Sequence, residues 1–303
     1  MQLHKDKVLF KQMVEAVSLE IDIEPALIEK DYFVTLFLKK LNERVPNLLF
    51  KGGTSLSKCH KIIDRFSEDI DLTLTPDHQT QGQRRKLKYT LIDVCKDLEL
   101  NLLNESDTRS RRDYNCYHIE YPIEYLSGAV KPMLLVETVF IQKAYPYEIK
   151  PVDSIIGDWL RAKGNLEAIE KYELTPFDIR VQTLERTLVD KVFAICDYMM
   201  DDNAAERQSR HIYDIFRLLT KVSLDDNLKV LVKEVREDRK TGVKSFSAKD
   251  GVKVSKILRE VVDSRFYERD YNESTLLLLL KPVTYDEAIS SIEKIIKSGV
   301  FEQ

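Results

Sequence analysis

Glycine and proline are scarce in this 303-residue chain, nine of each. So little turn punctuation excludes a loop-rich architecture and favours long helices. Cysteine is scarce as well: Cys59, Cys95, Cys116 and Cys196 lie far apart with no C-x-x-C pair. That spacing argues against a structural zinc site and a disulfide framework, and leaves free thiols in a reducing compartment. The five histidines show no metal-ligand spacing. No apolar run approaches the ~20 residues needed to span a bilayer; the longest is five leucines at 276–280. The opening "MQLHKDKVLFKQMVEAV" interleaves charged and apolar residues, unlike a signal peptide. The expectation is a cytoplasmic protein with no membrane partner. A strong excess of basic charge is also missing: 47 basic against 51 acidic residues give −4, so any nucleic-acid contact must come from local clusters.

What is there is the composition of a globular protein, long enough for roughly two domains of about 150 residues. Apolar spacing predicts helices over 5–18 and 24–42, the second with Ile28, Phe33, Leu36 and Leu41 on its apolar side. "NLLFKGG" reads as a short strand stopped by glycines, "TSLSKCHKII" as helical, and "EDIDLTL" as a strand. A basic helix over 81–98 follows, then three strand-like runs, "LELNLLNES", "YNCYHIEYPIEY" and "PMLLVETVF", suited to antiparallel pairing. Beyond about residue 150 the pattern turns helical. One helix is predicted to start at Thr175–Pro176 and run to Met200, followed by a charged connection over 201–210. Further helices are predicted from "HIYDIFRLLTKV" and over 227–240, 249–268 and 284–298. The fold class expected is α+β, with a mixed-sheet domain over 1–150 and an all-helical domain over 151–303.

The stretch "FKGGTSLSKCHKIIDRFSEDIDLTL", residues 50–74, carries the chemistry. Alternation puts Asp69 and Asp71 on one face of a strand, with Cα atoms roughly 6–7 Å apart, while Ile70, Leu72 and Leu74 take the other face. Two carboxylates on a half-buried face repel and are desolvated, so either the face is solvated or something offsets the charge. A divalent cation does this simply, because Mg²⁺ is commonly held by one or two carboxylates together with substrate phosphates. Upstream, Gly52 and Gly53 open a predicted helix whose unpaired N–H groups favour an anion, and Thr54 and Ser55 add hydroxyls. A phosphate cradle close before a carboxylate pair suits a nucleoside triphosphate.

These residues resemble the first motif of the nucleotidyltransferase superfamily of DNA polymerase β, and more narrowly the AbiEii/AbiGii toxins of type IV toxin–antitoxin systems. "LIEKDYFVTLFLKKL" at 27–41, "LERTLVDKVFAI" at 184–195 and "RHIYDIFRLL" at 210–219 resemble that family's other motifs, in order. The resemblance implies a nucleotidyltransferase fold, with the helical domain contributing Lys191 and Asp214 to the cleft. It also implies Mg²⁺ (or Mn²⁺) on Asp69, Asp71 and Glu137, the only charge in "MLLVETVF". As a lone strand residue, Glu137 could equally be an edge position or an arginine's partner. Lys191 lies about 60° from the centre of its helix's apolar stripe, where it either snorkels outward or points into a polar cleft. Under the resemblance it contacts the triphosphate, and Asp214 orients Lys191 or touches nucleotide or acceptor. Asp214 could instead pair with Arg210 or Arg217. Arg65 and Ser67 match the motif and join Gly52, Gly53, Thr54, Ser55 and Lys191 as nucleotide-binding candidates, although Arg65 could pair with Glu68 or Asp64. His211 reads as a core or capping histidine.

The reaction implied is nucleotide transfer from an NTP to an RNA acceptor, the 3′ end of tRNA, stopping translation during abortive infection, with a cognate antitoxin encoded nearby. Arg84, Arg85, Lys86 and Lys88, and Arg109, Arg111 and Arg112 beside Tyr114 and Tyr117, could serve phosphate contacts and base stacking. Two other readings stand beside it: AMP transfer to a protein or small-molecule hydroxyl, and a non-catalytic RNA-binding module.

Overall fold

A computed structural model of the chain describes residues 1–67, 69–128, 131–201 and 208–302. Glu68 and most of the charged connection at 201–210 therefore lie outside the described residues. Contacts divide the chain into two units, one of residues 1–59, 67–140 and 147–181, the other of 60–66, 141–146 and 182–303.

The first unit begins with α1 (Lys7–Ile21) and α2 (Pro25–Arg44), then β1 (Leu48–Lys51), α3 (Gly52–Lys58) and β2 (Asp69–Leu74). Next come α4 (Gln81–Asp97), β3 (Asn101–Leu102), β4 (Tyr114–Glu120) and β5 (Leu134–Val139). It closes with β6 (Tyr147–Val152), α5 (Ile155–Ala162), α6 (Leu166–Lys171) and β7 (Phe177–Gln182). The seven strands form one mixed sheet in the order β3-β4-β5-β2-β1-β7-β6. β2 runs antiparallel to β1 and parallel to β5, and β5 and β3 both run antiparallel to β4, as the sequence suggested for that trio.

Burial explains the sheet's order. Phe50, Ile70, Leu72 and Val136 of the three central strands are fully buried, joined by Phe37, Leu38 and Leu41 of α2. At roughly 1.5–3 kcal/mol for each such side chain, this face supplies the drive that holds α2 against the sheet. β6 carries Pro151, which cannot donate to a ladder, and it occupies an outer position.

Two helical expectations are corrected here. Residues 177–182 form a strand, not the start of a helix, because "FDIRVQ" alternates: Ile179 and Val181 are buried and Asp178 is exposed. The true helix start is Thr183, whose hydroxyl accepts from the N–H of Arg186. The run predicted as one helix over 249–268 is α10 (Val254–Asp263), then a turn before α11 (Glu268–Asp270).

The second unit carries α7 (Leu184–Met200), α8 (Arg210–Leu218), α9 (Asp226–Arg239), α10, α11 and α12 (Tyr285–Ser298). α12 has a capping box between Thr284 and Glu287 at one end and Gly299 in the left-handed conformation at the other. Segment 60–66 is tied to this unit by an antiparallel bridge between Arg65 and Leu279, flanked by Phe66 N–H to Leu278 O and Leu280 N–H to Asp64 O. No described helix is long and apolar enough to cross a membrane.

Candidate active site

Strand register assembles the acidic part of the site in the first unit. Asp71 pairs with Glu137 across the parallel β2–β5 ladder, and Asp69 with Leu135. On the other side of β2, Asp71 lies opposite Lys51. Side chains two residues apart share a face, so Asp69, Asp71 and Glu137 line one side of the sheet. Ile70, Leu72 and Leu74 are buried on the other. β4 adds Cys116, opposite Glu137, and Tyr114, whose hydroxyl donates to Glu137 Oε1 at 2.9 Å. Burial pushes the Cys116 thiol up to about 11, helped by the negative charges of Glu137 and Asp69. Burial and Glu137 likewise raise the Tyr114 phenol far above its ordinary value, so it stays a donor.

The glycine pair has a steric purpose. Gly52 adopts φ +75°, and a Cβ there would overlap the carboxylate of Asp71. Only glycine lets the start of α3 approach that carboxylate so closely. Thr54 and Ser55 are buried, and their hydroxyls donate inward, Thr54 to Asp69 O at 2.5 Å and Ser55 to Gly52 O at 2.8 Å. Both bonds fix the turn rather than present free hydroxyl protons. The anion-binding capacity that remains is the backbone N–H groups of α3's first turn, which has no side-chain cap. Gly53 belongs to that turn, and Ser67 is half-buried just before β2.

The sequence reading passed over the anchor of α3. Lys58 Nζ donates to Asp31 Oδ1 at 2.6 Å and to Thr35 Oγ1 at 2.7 Å, while Asp31 Oδ2 accepts from Ile155 N–H at 2.8 Å. Neighbouring Glu29 is fully buried and accepts from the N–H groups of Glu124 and Tyr125. Burial raises its carboxyl to about 7 despite those bonds. The signal was available: "EKD" interrupts the apolar run of α2 where its helix face is buried.

The remaining predicted residues gather in the second unit. Asp214 has no exposed surface and accepts from Arg65 Nε on Oδ1 and Arg65 Nη2 on Oδ2, each at 2.7 Å. Lys191 Nζ stands 2.6 Å from Asp214 Oδ2. Lys191 does not snorkel; it is buried and paired. Arg65 thus pairs with Asp214 rather than Asp64, which Arg217 takes at 3.1 Å. Burial alone would raise the Asp214 carboxyl, but Arg65 and Lys191 reverse this and hold it well below the usual carboxylate range. Burial lowers Lys191, an effect Asp214 partly offsets.

The basic clusters divide. Arg85 and Lys86 are exposed, whereas Arg84 pairs with Asp113 at 2.7 Å and lies over the Phe140 ring. Lys88 donates to Thr108 O at 2.8 Å. Arg109 and Arg112 donate to nearby main-chain carbonyls, and Arg111 is exposed. Tyr114 is 47% exposed, but Tyr117 is turned into the core by strand alternation and offers no stacking face.

The donor chemistry of the acidic row suits a hard divalent cation: carboxylate oxygens only, on one face. Among the described residues, no three His, Cys, Asp or Glu side chains already converge as a ligand shell. The three-carboxylate shell expected from Asp69, Asp71 and Glu137 is thus not formed among the described residues.

A carboxylate row on a mixed sheet, preceded by a glycine turn that abuts it, is the arrangement expected of a nucleotidyltransferase. The family described as "Nucleotidyl transferase AbiEii toxin, Type IV TA system" matches residues 37–289, and the chain belongs to that family. No curated protein matches the chain.

Proposed function

We propose that the protein is a metal-dependent toxin that transfers nucleotides from an NTP to the 3′ end of an RNA, tRNA in particular. Translation stops as a result, and a cognate antitoxin opposes the effect during abortive infection. The observation that carries this reading is the register of Asp71 against Glu137, with Asp69 on the same face and Gly52 against Asp71.

Nucleotidyl transfer needs positioning and charge neutralisation more than covalent help from the protein. One or two of the carboxylates of Asp69, Asp71 and Glu137 would hold Mg²⁺ or Mn²⁺, which when bound supplies positive charge to a phosphate and an attacking hydroxyl. Glu137, whose Oε1 accepts from Tyr114, is the candidate base for the proton of that hydroxyl. The first-turn N–H groups of α3 bind the β and γ phosphates. Lys191, the lysine implied by the family resemblance, has the positive charge suited to a phosphoryl oxygen. In domain terms, the sheet-bearing part is the nucleotidyltransferase core, and the C-terminal helices, which carry Lys191, form a helical domain. Exposed Arg85, Lys86 and Arg111 add non-specific affinity for the RNA backbone.

The test is incubation with each of four α-³²P NTPs, Mg²⁺ and a whole-cell lysate, followed by separation of RNA, protein and small molecules. Label in the tRNA band is expected. Label confined to protein or small molecules would overturn the RNA acceptor.

A further inference from the structure

Lys191 lies in a socket more elaborate than an ion pair. Asp214 Oδ2 is on one side of its ammonium, at 2.6 Å, and His211 Nδ1 is on another, at 3.3 Å. The His211 ring is stacked nearly parallel to Tyr198, with an interplanar angle of 9°. Arg65 clamps Asp214 through both oxygens, and Arg65 itself is fixed by Nη1 donating to Phe66 O at 2.9 Å. The groups facing Lys191 are therefore Asp214, His211 and Arg210 of α8, together with Arg65 from segment 60–66. Arg239 of α9 is directed elsewhere on α7, to Asp197 at 2.7 Å.

Three consequences follow. Asp214 has no exposed surface and both its oxygens are taken, so it has nothing to offer a nucleotide. An ammonium has three N–H donors; with Asp214 and His211 accepting two, one is left. Desolvation and the cations Lys191 and Arg210 hold His211 well below the usual histidine range, so its ring is neutral. A neutral imidazole protonated on Nε2 accepts at Nδ1.

We infer that His211 is a positioning residue: with Asp214 and Arg65 it orients the Lys191 ammonium so that a single N–H is left for an anionic ligand, and none of the three meets that ligand. This rests on the nucleotidyl-transfer reading above for the identity of the anion, but the socket itself can be tested without it.

The experiment uses the full chain and two variants that leave the Arg65–Asp214 pair intact, His211→Gln, whose side-chain oxygen can accept, and His211→Phe, which cannot. Acetic anhydride labelling of Lys191, read by mass spectrometry against exposed Lys297, reports the fraction of free amine. Single-turnover transfer and the Kd for the NTP are measured in parallel. Loss of a hydrogen bond to a charged group corresponds to roughly a tenfold effect. His211→Phe is expected to label Lys191 about tenfold faster and transfer about tenfold slower, with Kd changed less than about threefold. His211→Gln is expected to stay within about threefold of the parent in each. Unchanged labelling in His211→Phe, or equal damage in both variants, would overturn the positioning role. If the parent protein transfers no label, the nucleotidyl-transfer reading fails, while the labelling rates still decide the socket.

Discussion

Asp71 of β2 lies directly across from Glu137 of β5 on adjacent parallel strands, and Lys51 lies across from Asp71 on its other side. Two carboxylates face to face in one register are costly unless positive charge stands near them. Lys51 flanks one of them, and the proposed cation would serve both.

The approach of α3 to Asp71 makes Gly52 the least replaceable backbone position. Gly52→Ala is expected to cost about 1–2 kcal/mol for the left-handed backbone alone. It should also displace Asp71 and lower transfer by about a hundredfold or more, a loss of roughly 2.7 kcal/mol at the transition state. Urea melts and single-turnover assays check the two effects separately. A stable, fully active variant would show that the close approach has no role.

Arg65 and Asp214 form a dry, doubly bonded ion pair. Removing one partner of such a pair typically costs about 3–5 kcal/mol, and because Lys191 still neutralises Asp214 the lower end is expected. Arg65→Ala should lower the urea midpoint accordingly at neutral pH. The sign of its pH dependence follows from Asp214, whose folded carboxyl lies below its unfolded value. Stability from that group is present above about pH 4 and is lost as pH falls below it. The gap between parent and variant should therefore narrow in acid, as denaturation curves between pH 3 and 7 can show.

Glu29 predicts the opposite slope. Its folded carboxyl is raised to about 7 by burial, so the folded chain holds a proton that the unfolded chain has released. Stability from this group falls as pH rises from about 5 to about 8. Glu29→Gln cannot ionise and should flatten that part of the Tm–pH curve. Parallel curves for parent and variant would remove Glu29 as the source.

Much of the acidic row was legible because strand periodicity is short-ranged. "EDIDLTL" places its aspartates opposite its buried Ile70, Leu72 and Leu74 without reference to the rest of the chain. Thr175–Pro176 misled because a hydroxyl before a proline imitates a helix start. The alternation of "FDIRVQ" and the cap at Thr183, eight residues after Thr175, carried the correct signal. The partner of Asp214 could not be read locally. Arg65 lies 149 residues away, and segment 60–66 reaches α8's unit through tertiary contacts, among them the Arg65–Leu279 bridge and the Arg217–Asp64 pair. The partners of α2's buried charges were hidden for a related reason, although "EKD" marked their place. Amphipathic analysis presumes one wet face, yet Glu29, Lys30 and Asp31 are satisfied by main chain and Lys58.

The most direct measurement is the single-turnover rate of nucleotide transfer to tRNA for the parent and for Asp71→Asn, at matched thermal stability and saturating Mg²⁺. Asn keeps the shape of the side chain and removes its charge. The account predicts a fall of about a hundredfold or more, the scale for losing one charge-stabilising group at a reaction centre. Transfer by Asp71→Asn at the parent's rate would contradict it.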